Sequence, residues 1–143
     1  MSDDFEKFLI KRYTYWKVYL HGKFHYHLLG STYIWARREG DFDLLDMTPE
    51  EEKEFFEIAR ELKKILKELF QPDRFNYMML ANVSSHLHIH MIPRYKGERT
   101  FDGIKFVDKR WGQPLDSVPD ISVPESTLLK LRDAIKAKLT TLQ

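Results

Sequence analysis

Hydrophobic and polar positions along this chain follow two periods. From Thr48 to Pro72 the period is helical: Phe55, Ala59, Leu62, Leu66 and Leu69 recur at steps of four, three, four and three, and Ile58 and Ile65 widen the stripe. Thr48-Pro49-Glu50-Glu51 supplies the start, with Thr48 as cap, Pro49 at the first helical position and Glu51 closing a capping box, and Gln71-Pro72 supplies the stop. A second helical pattern follows Pro124 through Leu128, Leu131, Ile135 and Leu139, and Phe5, Phe8 and Leu9 predict a shorter N-terminal helix. The aromatic and β-branched runs at 15–20, 32–37, 75–81 and 87–93 read as strands, the last two joined across Asn82-Val83-Ser84-Ser85 as a hairpin turn. With no long crossover between them the sheet is antiparallel, and one face covered by the long helix makes a two-layer α+β domain.

At 143 residues one core is expected: a sheet-and-helix core over 1–95, an arm over 96–121 that five glycines and prolines mark as mostly irregular, and a C-terminal helix over 122–143. The 23 basic and 22 acidic residues give a net charge of +1 without a basic patch, which argues against nucleic acid as partner. The acidic N-terminus lacks the positive region of a secretory signal and no stretch approaches the roughly 18 apolar residues of a membrane span, so the chain reads as cytoplasmic and not membrane-bound. Zero cysteines exclude disulfides, thiolate nucleophiles and Cys-containing zinc sites, leaving six histidines as the near-neutral bases and soft ligands.

Three of the six fall in His86-Leu87-His88-Ile89-His90-Met91-Ile92-Pro93. Alternation on a strand places His86, His88 and His90 on one face and Leu87, Ile89 and Met91 on the other, buried face. A neutral imidazole is a nucleophile near pH 7 and needs neither thiolate nor metal hydroxide. Two other readings stay open: a three-histidine metal-dependent hydrolase, which spacing alone does not refute, and a sensor that binds its ligand without turnover.

The run resembles the signature of the histidine triad (HIT) family of nucleotide hydrolases and transferases, in its dinucleoside polyphosphate hydrolase-like branch. The likeness extends over 15–95 and takes in Leu45-Asp46-Met47-Thr48-Pro49-Glu50, Asn82 and Pro93-Arg94. It implies a half-barrel antiparallel sheet with a long helix on one face, and a nucleoside phosphate bound across the sheet. His88 is then the nucleophile toward the α-phosphorus, forming a nucleotidyl-histidine that water resolves. By the same resemblance the main-chain oxygen of His86 fixes the proton on the far nitrogen of His88, and His90 acts as general acid. Asn82, Ser84, Arg94 and His21 are the expected substrate contacts. Similar proteins often carry a histidine directly after the glycine that begins the next strand, whereas here Ser31 follows Gly30, so one of His21, His25 and His27 takes its place or all three are surface loop histidines. The resemblance further implies a homodimer, a small nucleotide substrate and no required cofactor or metal, with magnesium entering only as a companion of a polyphosphate. The mild basic excess of the arm is a weak attraction for polyphosphate, and Trp111 either stacks on a base or anchors the arm.

Overall fold

In the computed structural model, residues 3–82, 84–116 and 118–139 are described; Val83 of the expected turn and the last residues of the expected C-terminal helix lie outside them. The element order is α1 (Asp3–Glu6), β1 (Leu9–Arg12), β2 (Trp16–Leu20), β3 (Thr32–Ala36), α2 (Pro49–Phe70), β4 (Arg74–Met78), β5 (His88–Arg94), β6 (Arg99–Phe101), β7 (Ile104–Phe106) and α3 (Glu125–Lys138). The first five strands form one open antiparallel sheet in the order β1-β2-β3-β5-β4, and β6 and β7 form a separate hairpin. An α+β fold with an antiparallel sheet under a long helix is what the sequence patterns predict.

The long helix begins as its start signal requires. Thr48 Oγ1 accepts from the Glu51 N–H at 3.1 Å, and the Glu51 carboxylate accepts in return from the Thr48 N–H at 2.8 Å. Glu51 is buried, and the Arg38 guanidinium, at 2.9 Å through both Nε and Nη2, holds its carboxyl below the usual carboxylate range. The C-terminus closes on Gln71 in the left-handed conformation, its N–H donating to the Lys67 carbonyl.

Sheet parity decides which face the helix covers. Trp16, Val18, Leu20, Ile34, Ala36, Leu87, Ile89 and Met91 are buried in one cluster with Phe55, Ile58, Leu62, Ile65 and Leu66 of α2 and Leu128, Leu131 and Ile135 of α3. The Trp16 indole N–H donates to the Glu51 carbonyl at 2.9 Å and its ring lies 5.3 Å from that of Phe55, which pins α2 to β2. The opposite face therefore carries Lys17, Tyr19, Tyr33, Trp35, His88 and His90, in the register Tyr19↔Tyr33, Tyr33↔His90 and Trp35↔His88.

Two expectations need correction. The N-terminal helix stops at Glu6, and Leu9 opens a strand with a bulge between Leu9 and Lys11, because Leu9-Ile10-Lys11-Arg12 finds the free edge of β2. The connection between β4 and β5 runs over 79–87, wider than a tight turn. Within the arm, Arg99–Phe101 and Ile104–Phe106 pair around Asp102-Gly103, both at positive φ, and its other described residues are irregular, as the glycines and prolines predict.

Candidate active site

The outer face of β5 and β3 forms a histidine-lined groove, and two of the triad tautomers follow from backbone partners. His88 Nδ1 lies 2.7 Å from the His86 carbonyl, an acceptor only, so His88 carries its proton on Nδ1 and leaves Nε2 with a free lone pair. His86 Nε2 lies 2.5 Å from the Ala36 carbonyl and by the same logic donates to it. The Trp35 ring stacks on His86 at 4.2 Å and on His88 at 5.3 Å, so an aromatic plate fixes both imidazoles in the plane their hydrogen bonds need. Trp35 was not among the expected site residues. Its signal was parity: Tyr33 and Trp35 alternate with Ile34 and Ala36, which places two aromatics on the face of the histidines.

His90 is deeper. Its Nδ1 lies 2.9 Å from His21 Nε2, the two rings stack 5.0 Å apart at 10°, and His25 stands edge-on to both. His21, His25 and His27 are buried, not surface loop residues. Burial first, and repulsion from neighbouring imidazoles second, pushes His21 well below the usual histidine range and both His25 and His90 to about 4. His27 is lowered too, mainly by burial. At neutral pH His21, His25 and His90 are thus uncharged.

Local sequence explains how His21 reaches His90. Gly22 allows the chain to leave β2 hard against Phe8, where a Cβ would stand 2.1 Å from the ring. His25 takes a left-handed conformation at φ 59°, and its carbonyl accepts from the Leu28 N–H, which folds the 22–31 connection back under the groove. Ser31 is buried and its hydroxyl donates to the Leu28 carbonyl at 2.6 Å, so the position after Gly30 is a turn brace and does not face the groove.

The other expected contacts divide. Ser84 Oγ accepts from the His86 N–H at 3.4 Å, which keeps it beside the first histidine with its own proton to give. Asn82 is exposed in the same 79–87 connection. Arg94, expected at the substrate, is instead taken up by protein groups. It is buried, pairs with Asp108 through two bonds of 2.7 and 3.1 Å, and donates to Asn76 Oδ1 and to the carbonyls of Arg110 and Gln113. It is the post to which the arm is tied. Burial, the largest single influence, opposes the charge on Asp108, yet the Arg94 guanidinium and the Tyr95 and Arg110 N–H groups together hold the carboxyl below its ordinary range. Truncating Asp108 to alanine strands that guanidinium in the interior, and a loss of about 3–5 kcal/mol in urea unfolding is expected.

His21 likewise lies under His90, not at the groove surface, and its Nε2 is occupied by His90. The basic residues of the arm also have structural partners: Arg99 donates to the Phe70 and Gln71 carbonyls, Arg110 Nε to the Pro114 carbonyl, Lys105 meets Glu98 and Lys109 meets Asp120. Trp111 lies under the Arg74 guanidinium at 4.7 Å, an anchor for the arm. Beside His90, a cleft lined by His25, Met78, Leu80, Arg110, Leu115 and Asp116 opens under the arm. Among the described residues, no group of three His, Cys, Asp or Glu side chains has a geometry that holds a metal ion, and no helix is long and apolar enough to cross a membrane.

No curated protein matches the chain in sequence. In solved structures the fold recurs in a histidine triad protein from Sinorhizobium meliloti (17% identity, 97% of this chain and 96% of that one, TM-score 0.73). It also recurs in a histidine triad protein from Bradyrhizobium japonicum (16% identity, 96% of each chain, TM-score 0.71). A zinc-bound histidine triad family protein from Mycobacterium smegmatis is similar as well (18% identity, 95% of this chain and 88% of that one, TM-score 0.60). The HIT domain family matches residues 35–97, from the tryptophan beside the triad to just beyond the histidine strand. Residues 35–97, somewhat less than half of the chain, are thus similar to a HIT domain, and the fold is the one that solved histidine triad proteins share.

Proposed function

We propose that the chain hydrolyses a nucleoside 5′-phosphoryl anhydride or amidate, a dinucleoside polyphosphate or a nucleoside phosphoramidate, through a nucleotidyl intermediate on His88. One observation carries this reading: the His86 carbonyl holds the His88 proton on Nδ1 and leaves the Nε2 lone pair free. That lone pair attacks the α-phosphorus, the bond from phosphorus to the leaving group breaks, and the departing oxygen or nitrogen takes a proton from His90. Water then attacks the phosphorus of the adduct, His90 removes its proton, and the phosphorus–nitrogen bond breaks to return His88 with its lone pair. The Ser84 hydroxyl and the Asn82 amide, on the connection ahead of the triad, are the donors assigned to the phosphoryl oxygens, where charge develops.

The test is a panel of adenylated and guanylated compounds, dinucleoside polyphosphates and phosphoramidates, incubated with the purified chain and read by mass. Release of a nucleoside monophosphate from at least one class is expected; an unchanged panel with measurable nucleotide binding would favour the sensor reading.

No metal is required by this chemistry. A zinc-bound relative keeps the metal reading worth testing. After exhaustive dialysis against EDTA most of the activity is expected to remain. Activity lost on chelation and restored by zinc alone would replace the covalent mechanism, whereas a modest effect of magnesium on a polyphosphate substrate would not.

We further propose a homodimer. β4 is an edge strand of the open sheet, with Tyr77 and, just beyond it, Leu80 exposed, and an uncovered edge invites pairing. Sedimentation at micromolar concentration should show a two-chain species; monomer alone contradicts it.

A further inference from the structure

The pair formed by His21 and His90 has a partner role that the reaction as written does not assign. We propose that His21 is the positioning residue for His90: its Nε2 accepts a hydrogen bond from the His90 Nδ1–H and so keeps His90 Nε2 as the nitrogen that gains and loses a proton at the groove. The inference rests on the hydrolase reading above, and deepens it.

Two imidazole nitrogens 2.9 Å apart share one proton, so only two arrangements exist for the neutral pair. In the first, His21 donates and His90 carries its proton on Nε2; giving that proton to a leaving group would then turn His90 into an imidazolate, which is out of reach near neutral pH. In the second, His90 donates from Nδ1, and His90 Nε2 cycles between bare and protonated while the ring passes between neutral and cationic forms. Only the second arrangement lets one side chain act as acid toward the leaving group and then as base toward water. The proton balance closes: the imidazolium gives its Nε2 proton to the leaving group, remains neutral with Nδ1–H on His21, and regains a proton from the attacking water.

The surroundings fit. His90 is faced by His21 from the end of β2, by His25 from the 22–31 connection, by His88 on its own strand and by Tyr33 across β3. With His21, His25 and His90 uncharged at neutral pH, the negative charge that favours a protonated His90 arrives with the substrate's phosphate.

Two measurements decide it. Long-range proton–nitrogen NMR of the unliganded protein at pH 7.5 needs no substrate: His90 should carry its proton on Nδ1, against the preference of a free histidine for Nε2, and His21→Phe should reverse this. The conservative His21→Gln, whose amide oxygen can accept at the place of Nε2, should keep it. In turnover, His21→Phe should slow an alkylamine phosphoramidate by about 100-fold or more while slowing an aryl ester, whose leaving group needs no proton, by less than about 5-fold. His21→Gln should recover most of the loss. A His90 proton on Nε2 in the wild type, or equal slowing of both substrates, overturns the proposal. Absence of any turnover by the wild type refutes the hydrolase reading and leaves the NMR result to decide the pairing.

Discussion

Replacing His88 with alanine should lower turnover by at least about three powers of ten, each worth 1.4 kcal/mol of barrier, while leaving nucleotide affinity nearly unchanged. The reason is positional. His86 directs its Nε2 at the Ala36 carbonyl, and the Nε2 of His90, two residues further along the strand, is the one assigned to the leaving group and the water, so neither neighbour replaces the His88 lone pair at phosphorus. The groove itself survives, because Trp35 also stacks on His86 and Tyr33 on Tyr19. Affinity measured by calorimetry with a nonhydrolysable nucleotide, beside steady-state turnover, separates the two effects. A variant that retains more than about a tenth of wild-type turnover would contradict a histidine nucleophile at this position.

The second large effect is on stability in acid. His25 and His90 titrate near 4 in the folded chain, against 6.5 when unfolded, and His21 and His27 are lowered too. Above pH 6.5 both states are neutral at these sites and no stability is lost. As pH falls through 6.5 toward 4 the unfolded chain binds protons that the folded chain refuses, so stability declines across that window. A shift of this size amounts to roughly 3 kcal/mol per site by pH 4, and the sites are close enough that the sum is not additive. Against a total of about 5–15 kcal/mol for a domain, cooperative unfolding between about pH 4 and 5 is expected. Urea midpoints taken from pH 7.5 to 4.5 give the slope. His25→Asn, which suits the left-handed backbone and cannot titrate, should flatten it; a midpoint constant over this range contradicts the buried neutral cluster.

Much of this was legible from the sequence, and the boundary has physical causes. The long helix announced itself because cap, proline, capping box and stripe agree at Thr48–Glu51 and onward, and local signals need no tertiary help. The triad face was legible because a period of two admits one arrangement of His86, His88 and His90 once Leu87, Ile89 and Met91 are buried. What escaped was set by distant partners. Leu9–Arg12 is a strand only because β2 has a free edge, and Arg94, which sequence places beside the triad, is claimed by Asp108 across the arm. His21 and His25 looked like loop residues, and nothing local says that a loop folds beneath a sheet; Gly22, where the chain passes against Phe8, was the only cue.

The most direct measurement is capture of the intermediate. Mixing the chain with a phosphoramidate or dinucleoside polyphosphate, quenching within milliseconds without acid, and mapping peptides by mass should place a nucleotidyl group on the peptide that holds His88. The same map of His88→Ala should show none. An adduct on another residue, or full turnover with no adduct at any time, would contradict covalent catalysis by His88.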